Sequence, residues 1–210
     1  MIAGADSLPG SHRGNGRGGP PAPTKENPAP GSGPLGMGLF LLSLGVLFLG
    51  SLVAYAVIRY RAEAWPPPDV PPLPRALWVS TVLILAGSVT IQWSLANAKS
   101  NRRTALRVTL AATLALALSF LASQSAAWIQ LVSAAATIRA SLYGWLFYFL
   151  TGLHAVHVLG GIAPLIVVTV NAHYGRVTPL SLGGLRYCVM YWHFLGGVWL
   201  VLFTMLVATT

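Results

Sequence analysis

Five stretches of this chain are apolar over a length that can cross a lipid bilayer, and they leave few folds open to it. They run from about Leu35 to Ile58, Leu77 to Ala96, Leu106 to Trp128, Tyr143 to Val170 and Tyr187 to Ala208. A spanning helix needs roughly 20 predominantly apolar residues. The apolar residues gather in continuous runs, not in the alternating or 3.6-residue patterns of a soluble core. With 55% hydrophobic and only 8% charged residues, a water-soluble domain is excluded. The expected fold is an all-α integral membrane bundle of five transmembrane helices behind a disordered N-terminal tail.

Residues 1–34 form that tail. They are rich in Gly, Pro and Ser, carry Arg13, Arg17 and Lys25, and contain no apolar run able to offset the entropy of ordering. The membrane domain is expected over residues 35–210. A secretory signal would place its apolar stretch closer to the N-terminus and follow it with a small-residue cleavage site, so the first run reads as a retained helix. The segment AEAWPPPDVPPLP between the first two runs is proline-rich and cannot itself span. The fourth run is long and contains Pro164, for which tilt, a kink or an interfacial start is expected. No internal repeat of transporter type is evident.

The formal net charge of +9 does not point to nucleic acid, because the 13 Lys and Arg sit singly or in small groups between apolar runs. They read as loop charges that orient the chain. With five spans, the tail, the loop after the second helix and the loop after the fourth share one side. That side holds Arg13, Arg17, Lys25, Lys99, Arg102, Arg103, Arg107, Arg176 and Arg186; the other holds Arg59, Arg61, Arg75 and Arg139. Basic residues favour the cytoplasmic side, so the N-terminus is expected in the cytoplasm and the C-terminus outside.

All four acidic residues, Asp6, Glu26, Glu63 and Asp69, lie outside the spans, which removes any proton relay or cation site built from membrane carboxylates. Cys188 is the one cysteine, so thiolate-held zinc or iron–sulfur clusters are not expected. The polar chemistry left in the membrane is mostly histidine, amide and hydroxyl. His154 and His157, three residues apart in TGLHAVHVLGG, share a helix face, and His193 lies in YWHFLGG. These histidines are expected to hydrogen-bond across helices or to reach lipid headgroups, since a metal would need further ligands. His173 falls at a helix end, where solvation is expected.

Ser80, Gly87 and Ser94 recur every seven residues on the second helix. Ala112, Ala115, Ser119, Ala122 and Ala126 stripe one face of the third. Both stripes are expected to admit close helix neighbours. Gly160 and Gly161 with Gly196 and Gly197 are expected to let the fourth and fifth backbones meet near the histidines. Trp128, Trp145, Trp192, Tyr143 and Tyr191 are expected at the membrane interfaces.

Four segments, PLPRALWVSTVLILAGSVTIQWSLANA, FLASQSAAWIQL, YGWLFYFLTGLHAVHVLGG and YCVMYWHFLGGVWLVLF, are similar in order and spacing to subunit III of the haem-copper terminal oxidases, the cytochrome c oxidase type. The resemblance runs from about Leu35 to the C-terminus and is to the short five-helix bacterial form. It implies an accessory subunit in a bacterial inner membrane, with no catalytic, cofactor or metal residue of its own. Haems and copper are then expected in its partners, the catalytic subunit I and subunit II. It also implies phospholipid held in a cleft, support for proton uptake by the neighbour, and no nucleic-acid partner. His154, His157, His193, Trp192, Arg186, Trp128 and Gln124 are the candidates for lipid or subunit contact.

Two positions depart from the family's pattern. A membrane glutamate would directly follow Ser43, where this chain has Leu44, and an aspartate is frequent two residues after YWHF, where this chain has Gly196. Other readings remain open on the residues alone: the third subunit of a quinol oxidase or nitric oxide reductase, a haem subunit ligated by His193 with His154 or His157, or a small carrier.

Overall fold

The computed structural model describes residues 32–63, 65, 74–133 and 142–208. Residues 1–31 of the tail expected to be disordered, and the centre of the proline-rich loop, lie outside the described residues. Five helices follow one another: α1 (Ser32–Arg61), α2 (Ala76–Lys99), α3 (Arg103–Ser133), α4 (Leu142–His173) and α5 (Gly183–Ala208). Each contains its expected span and extends past it at one end or both, and all five are long and apolar enough to cross a membrane. The start of α1 takes in Ser32, Gly33 and Pro34, which the sequence boundary gave to the tail. Pro34 is tolerated because a first-turn N–H has no partner within the helix to lose. Helix α4 runs unbroken through Pro164.

Helices α2, α3, α4 and α5 close a four-helix ring, each packing on the next and α5 returning to α2, while α1 leans on α5 from outside. The tightest pair is the α2–α3 hairpin, and its register can be read from hydroxyl groups. Ser80 Oγ donates to Ser123 Oγ at 2.9 Å, Thr113 Oγ1 to Thr90 Oγ1 at 2.9 Å and Ser94 Oγ to Thr109 Oγ1 at 2.9 Å. The members of each pair are equidistant in sequence from the turn at Asn101 and Arg102, as an antiparallel hairpin requires. Hydrocarbon offers hydroxyls no partner, so each finds one on the facing helix. Gly87 lies in the same seam, where a Cβ would meet Leu116 Cβ at 4.0 Å. Ser80, Gly87 and Ser94 are buried as their spacing predicts.

The stripe on α3 is a correction. Ala115, Ser119, Ala122 and Ala126 are exposed and Ala112 only half-buried; the packed face is instead Leu106, Leu110, Thr113, Ala117, Phe120, Gln124, Ala127 and Leu131. A helix apolar all round carries more than one row of small residues. The hydroxyls of Thr109, Thr113 and Ser123 choose the row that packs, because they have α2 partners to reach.

The two turns at one end of the bundle are built alike. Asn101 adopts φ 52° and Gly175 φ 71°. Behind them Arg102 N–H bonds the Asn97 carbonyl and Arg176 N–H the Asn171 carbonyl, both at 2.9 Å, closing the last turns of α2 and α4. Arg107 ties the turns together, donating from Nε to the Ala172 carbonyl at 3.2 Å and from Nη2 to the His173 carbonyl at 3.0 Å. A cation over the final carbonyls also suits the helix dipole.

The left-handed turn at Asn101 generates a test. Asn101→Gly should leave the melting temperature of the detergent-solubilised chain unchanged, whereas Asn101→Val should cost about 1–2 kcal/mol, the penalty of a β-branched residue in that region. Equal melting of the two variants would show that the turn does not hold the hairpin.

Candidate functional site

An apolar concavity lies where α1 meets α4 and α5. Because α1 touches the ring through a single seam, Met37, Leu41, Leu44, Phe48 and Tyr55, the groove beside that seam stays open as a cleft of about 740 Å³. Its walls are Met37, Phe40 and Leu44 from α1, Val156, His157, Gly160 and Pro164 from α4, and Tyr187, Cys188 and Tyr191 from α5. Pro164 withholds the N–H that would bond the Gly160 carbonyl, and both residues face this cleft. At one end the cleft adjoins a smaller pocket of about 190 Å³ bounded by Asn171, Arg176 and Ser181, the two sharing Val168 and Gly184.

Tyr191 organises the cleft wall. Its hydroxyl donates to the His157 carbonyl at 2.8 Å, and Phe40 stacks against its ring with centroids 6.1 Å apart. Gly161 makes the space: a Cβ there would lie 2.6 Å from Tyr191 Cε1. The glycines therefore do not bring two backbones together as expected. Gly161 receives the Tyr191 ring, Gly160 faces the cleft, Gly196 is buried beside Ser88 of α2, and Gly197 points outward.

The three membrane histidines go to three places. His157 lines the cleft, and its Nδ1 donates to the Leu153 carbonyl of its own helix at 2.7 Å. His154 is fully buried, with Phe48, Phe120 and Trp199 around its ring, and among the described residues neither ring nitrogen has a hydrogen-bond partner. The cross-helix bonds expected of these two histidines are absent among the described residues, because the groups facing them are aromatic rings and their own backbone. His193 does bond across helices. Its Nε2 donates to Gln92 Oε1 at 3.1 Å, which leaves Nδ1 to accept from the Ser88 hydroxyl at 2.5 Å. Both nitrogens of His193 are thus engaged on the α2 side while His154 lies inside the ring, so the two do not converge on a shared haem. Among the described residues no group of three His, Cys, Asp or Glu side chains is placed to hold a metal.

The other candidates divide as well. Gln124 is 1% exposed with its amide unpartnered, on the α3 turn between the Phe120 contact to His154 and the bond from Trp128 Nε1 to Thr151 Oγ1 at 3.0 Å. Trp192 is 2% exposed and its indole N–H has no partner among the described residues. Arg186 is exposed on the first turn of α5. Of the candidates for lipid or subunit contact, His193 and Arg186 are exposed and His157 and Trp128 half-buried, while His154, Gln124 and Trp192 are enclosed within the chain. Of the aromatics expected at the membrane interfaces, Tyr143, Tyr191 and Trp192 are buried among the helices, and Trp145 is exposed and stacked on Phe149. Sequence reasoning did not single out Phe48, Tyr187, Asn171 or Arg176 for this site. Their only signal was position opposite other helices.

The unpartnered interior groups can be tested directly. A buried polar group without a partner costs about 1–3 kcal/mol, so His154→Leu and Gln124→Leu should each leave the solubilised chain at least as heat-stable as the parent. A fall of several degrees in melting temperature would mean that these side chains are bonded in the folded protein.

A family model described as cytochrome c oxidase subunit III matches residues 31–208. Cytochrome c oxidase subunit 3 of Synechocystis is 31% identical over 173 residues, covering 80% of this chain and 72% of that protein. A probable cytochrome c oxidase subunit 3 of Mycobacterium leprae is 32% identical over 173 residues, covering 82% and 85%. The subunit 3 of Ornithorhynchus anatinus is 31% identical over 175 residues, covering 80% and 66%. These matches favour the cytochrome c oxidase type over third subunits of quinol oxidases or nitric oxide reductases.

Proposed function

Since the chain belongs to the cytochrome c oxidase subunit III family, and is by that membership an accessory subunit of a haem-copper oxidase, we propose that it holds phospholipid and braces the catalytic subunit while carrying no redox centre of its own. Its partners on this reading are the catalytic subunit I and subunit II, which hold the haems and copper. The chain lies in a bacterial inner membrane with the N-terminus cytoplasmic and the C-terminus external, as the distribution of basic residues favours.

The observation that carries the lipid reading is the α1/α4/α5 cleft. It is apolar along its length and its volume of about 740 Å³ is that of a ligand site, yet it ends beside Arg176, Asn171 and Ser181 at the first turn of α5. An acyl chain along Leu44, His157 and Tyr191 would bring a phosphate to a guanidinium and to the N-terminal N–H groups of a helix, both favourable for an anion. A bound lipid of this kind fills what would otherwise be a gap between α1 and the ring, and so fixes α1.

The experiment is phosphorus analysis of the purified complex. Gly160→Phe, which fills the cleft, and Arg176→Glu, which repels a phosphate, should each lower tightly bound phospholipid by about one molecule per complex. Unchanged phospholipid in both variants would remove the cleft from consideration as a lipid site.

A further inference from the structure

The outward face of α5 presents an arrangement that lipid does not explain. Along it Met190, His193, Gly197, Leu200, Val201 and Thr204 are exposed. Helix α1 flanks this face on one side, where Phe194 lies 3.8 Å from a Cβ built on Gly45. Helix α2 flanks it on the other, where Trp199 Nε1 donates to Thr81 Oγ1 at 3.0 Å and Phe203 meets Trp78 edge-on. No helix of the described residues lies over the strip between them.

Two independent features of that strip point to a protein occupant. First, in the His193–Ser88–Gln92 cluster His193 and Gln92 are exposed and Ser88 half-buried, all within the apolar spans of α5 and α2, where lipid offers mainly hydrocarbon. The Gln92 Oε1 is used by His193, but among the described residues the Gln92 amide nitrogen has no acceptor. Polar groups at that depth face a protein or a water-filled cavity. Second, Gly197 lies one turn from His193, and a Cβ built there would meet nothing within 4 Å. A gap at glycine beside an unpaired donor is what a closely approaching transmembrane helix fills.

We propose that the α5 strip between α1 and α2 is the docking face for a transmembrane helix of the catalytic subunit, seated on Gly197 and presenting a hydrogen-bond acceptor to the Gln92 amide. The inference rests on the accessory-subunit reading above and adds to it the surface and the chemistry of the partner. The lipid cleft lies on the other side of the α1 seam, so one chain contacts lipid and catalytic subunit through separate faces.

The test uses the purified oxidase and measures how much of this chain remains per haem after prolonged exposure to detergent. Gly197→Leu and Gln92→Met should reduce retention about tenfold. Ala122→Leu, on the exposed face of α3, should leave it unchanged. A photoreactive phenylalanine analogue in place of Leu200 should cross-link to the catalytic subunit, which decides the matter even where a variant folds poorly. Retention unchanged in both variants, or cross-links confined to lipid or to a second copy of this chain, would overturn the docking face while leaving the accessory reading intact. A wild-type chain that copurifies with no haem-bearing partner would overturn that reading and the docking face with it.

Discussion

Hydrocarbon supplies no hydrogen-bond partner, and the placement of nearly every polar side chain in this bundle follows from that. Ser80, Thr90, Ser94, Thr109, Thr113 and Ser123 bond one another or a carbonyl one turn back, which forces α2 and α3 together in one register. Once the hairpin is set, Arg107 carries it to the end of α4, and α5 closes the ring through Trp199 and Thr81. Helix α1 packs on the ring along a seam around Phe48 and Tyr55, and the cleft lies beside that seam.

The two positions where the family's pattern has a carboxylate acquire a common meaning in this geometry. Leu44 lines the cleft that also contains His157. Gly196 is buried where a Cβ would sit 3.9 Å from Ser88 Oγ, the hydroxyl bonded to His193. Each missing acid would have stood near a histidine. Here His157 bonds its own backbone and His193 bonds Gln92, so both imidazoles are bonded without a membrane carboxylate.

Much of this was legible in the residues, and the failures have a physical pattern. Helix number and extent follow from length and apolarity, which bilayer thickness turns into a nearly binary signal. The Ser80, Gly87 and Ser94 face was legible because small residues recur there every seven positions along α2. The row on α3 was not, since Ala115 to Ala126 offers the same spacing as the face that packs, and only the α2 partners distinguish them. The histidines were legible as a motif but not as a site. Whether His154, His157 or His193 meets a ring, a carbonyl or an amide depends on Phe48, Trp199 and Gln92, which lie far away in sequence. Tyr191 illustrates the same limit: its ring fills the space left by Gly161, and no feature of either segment alone encodes that contact.

An accessory chain that contributes packing and lipid, and no electron carrier, should govern how long its partner works more than how fast it begins. The most direct measurement follows oxygen consumption by the complex with and without this chain, recording the initial rate and the number of turnovers before activity decays. Removal should leave most of the initial rate in place and shorten the catalytic lifetime. An immediate loss of all oxygen reduction, with the catalytic subunit still folded and fully haem-loaded, would contradict the account and assign this chain a direct part in the chemistry.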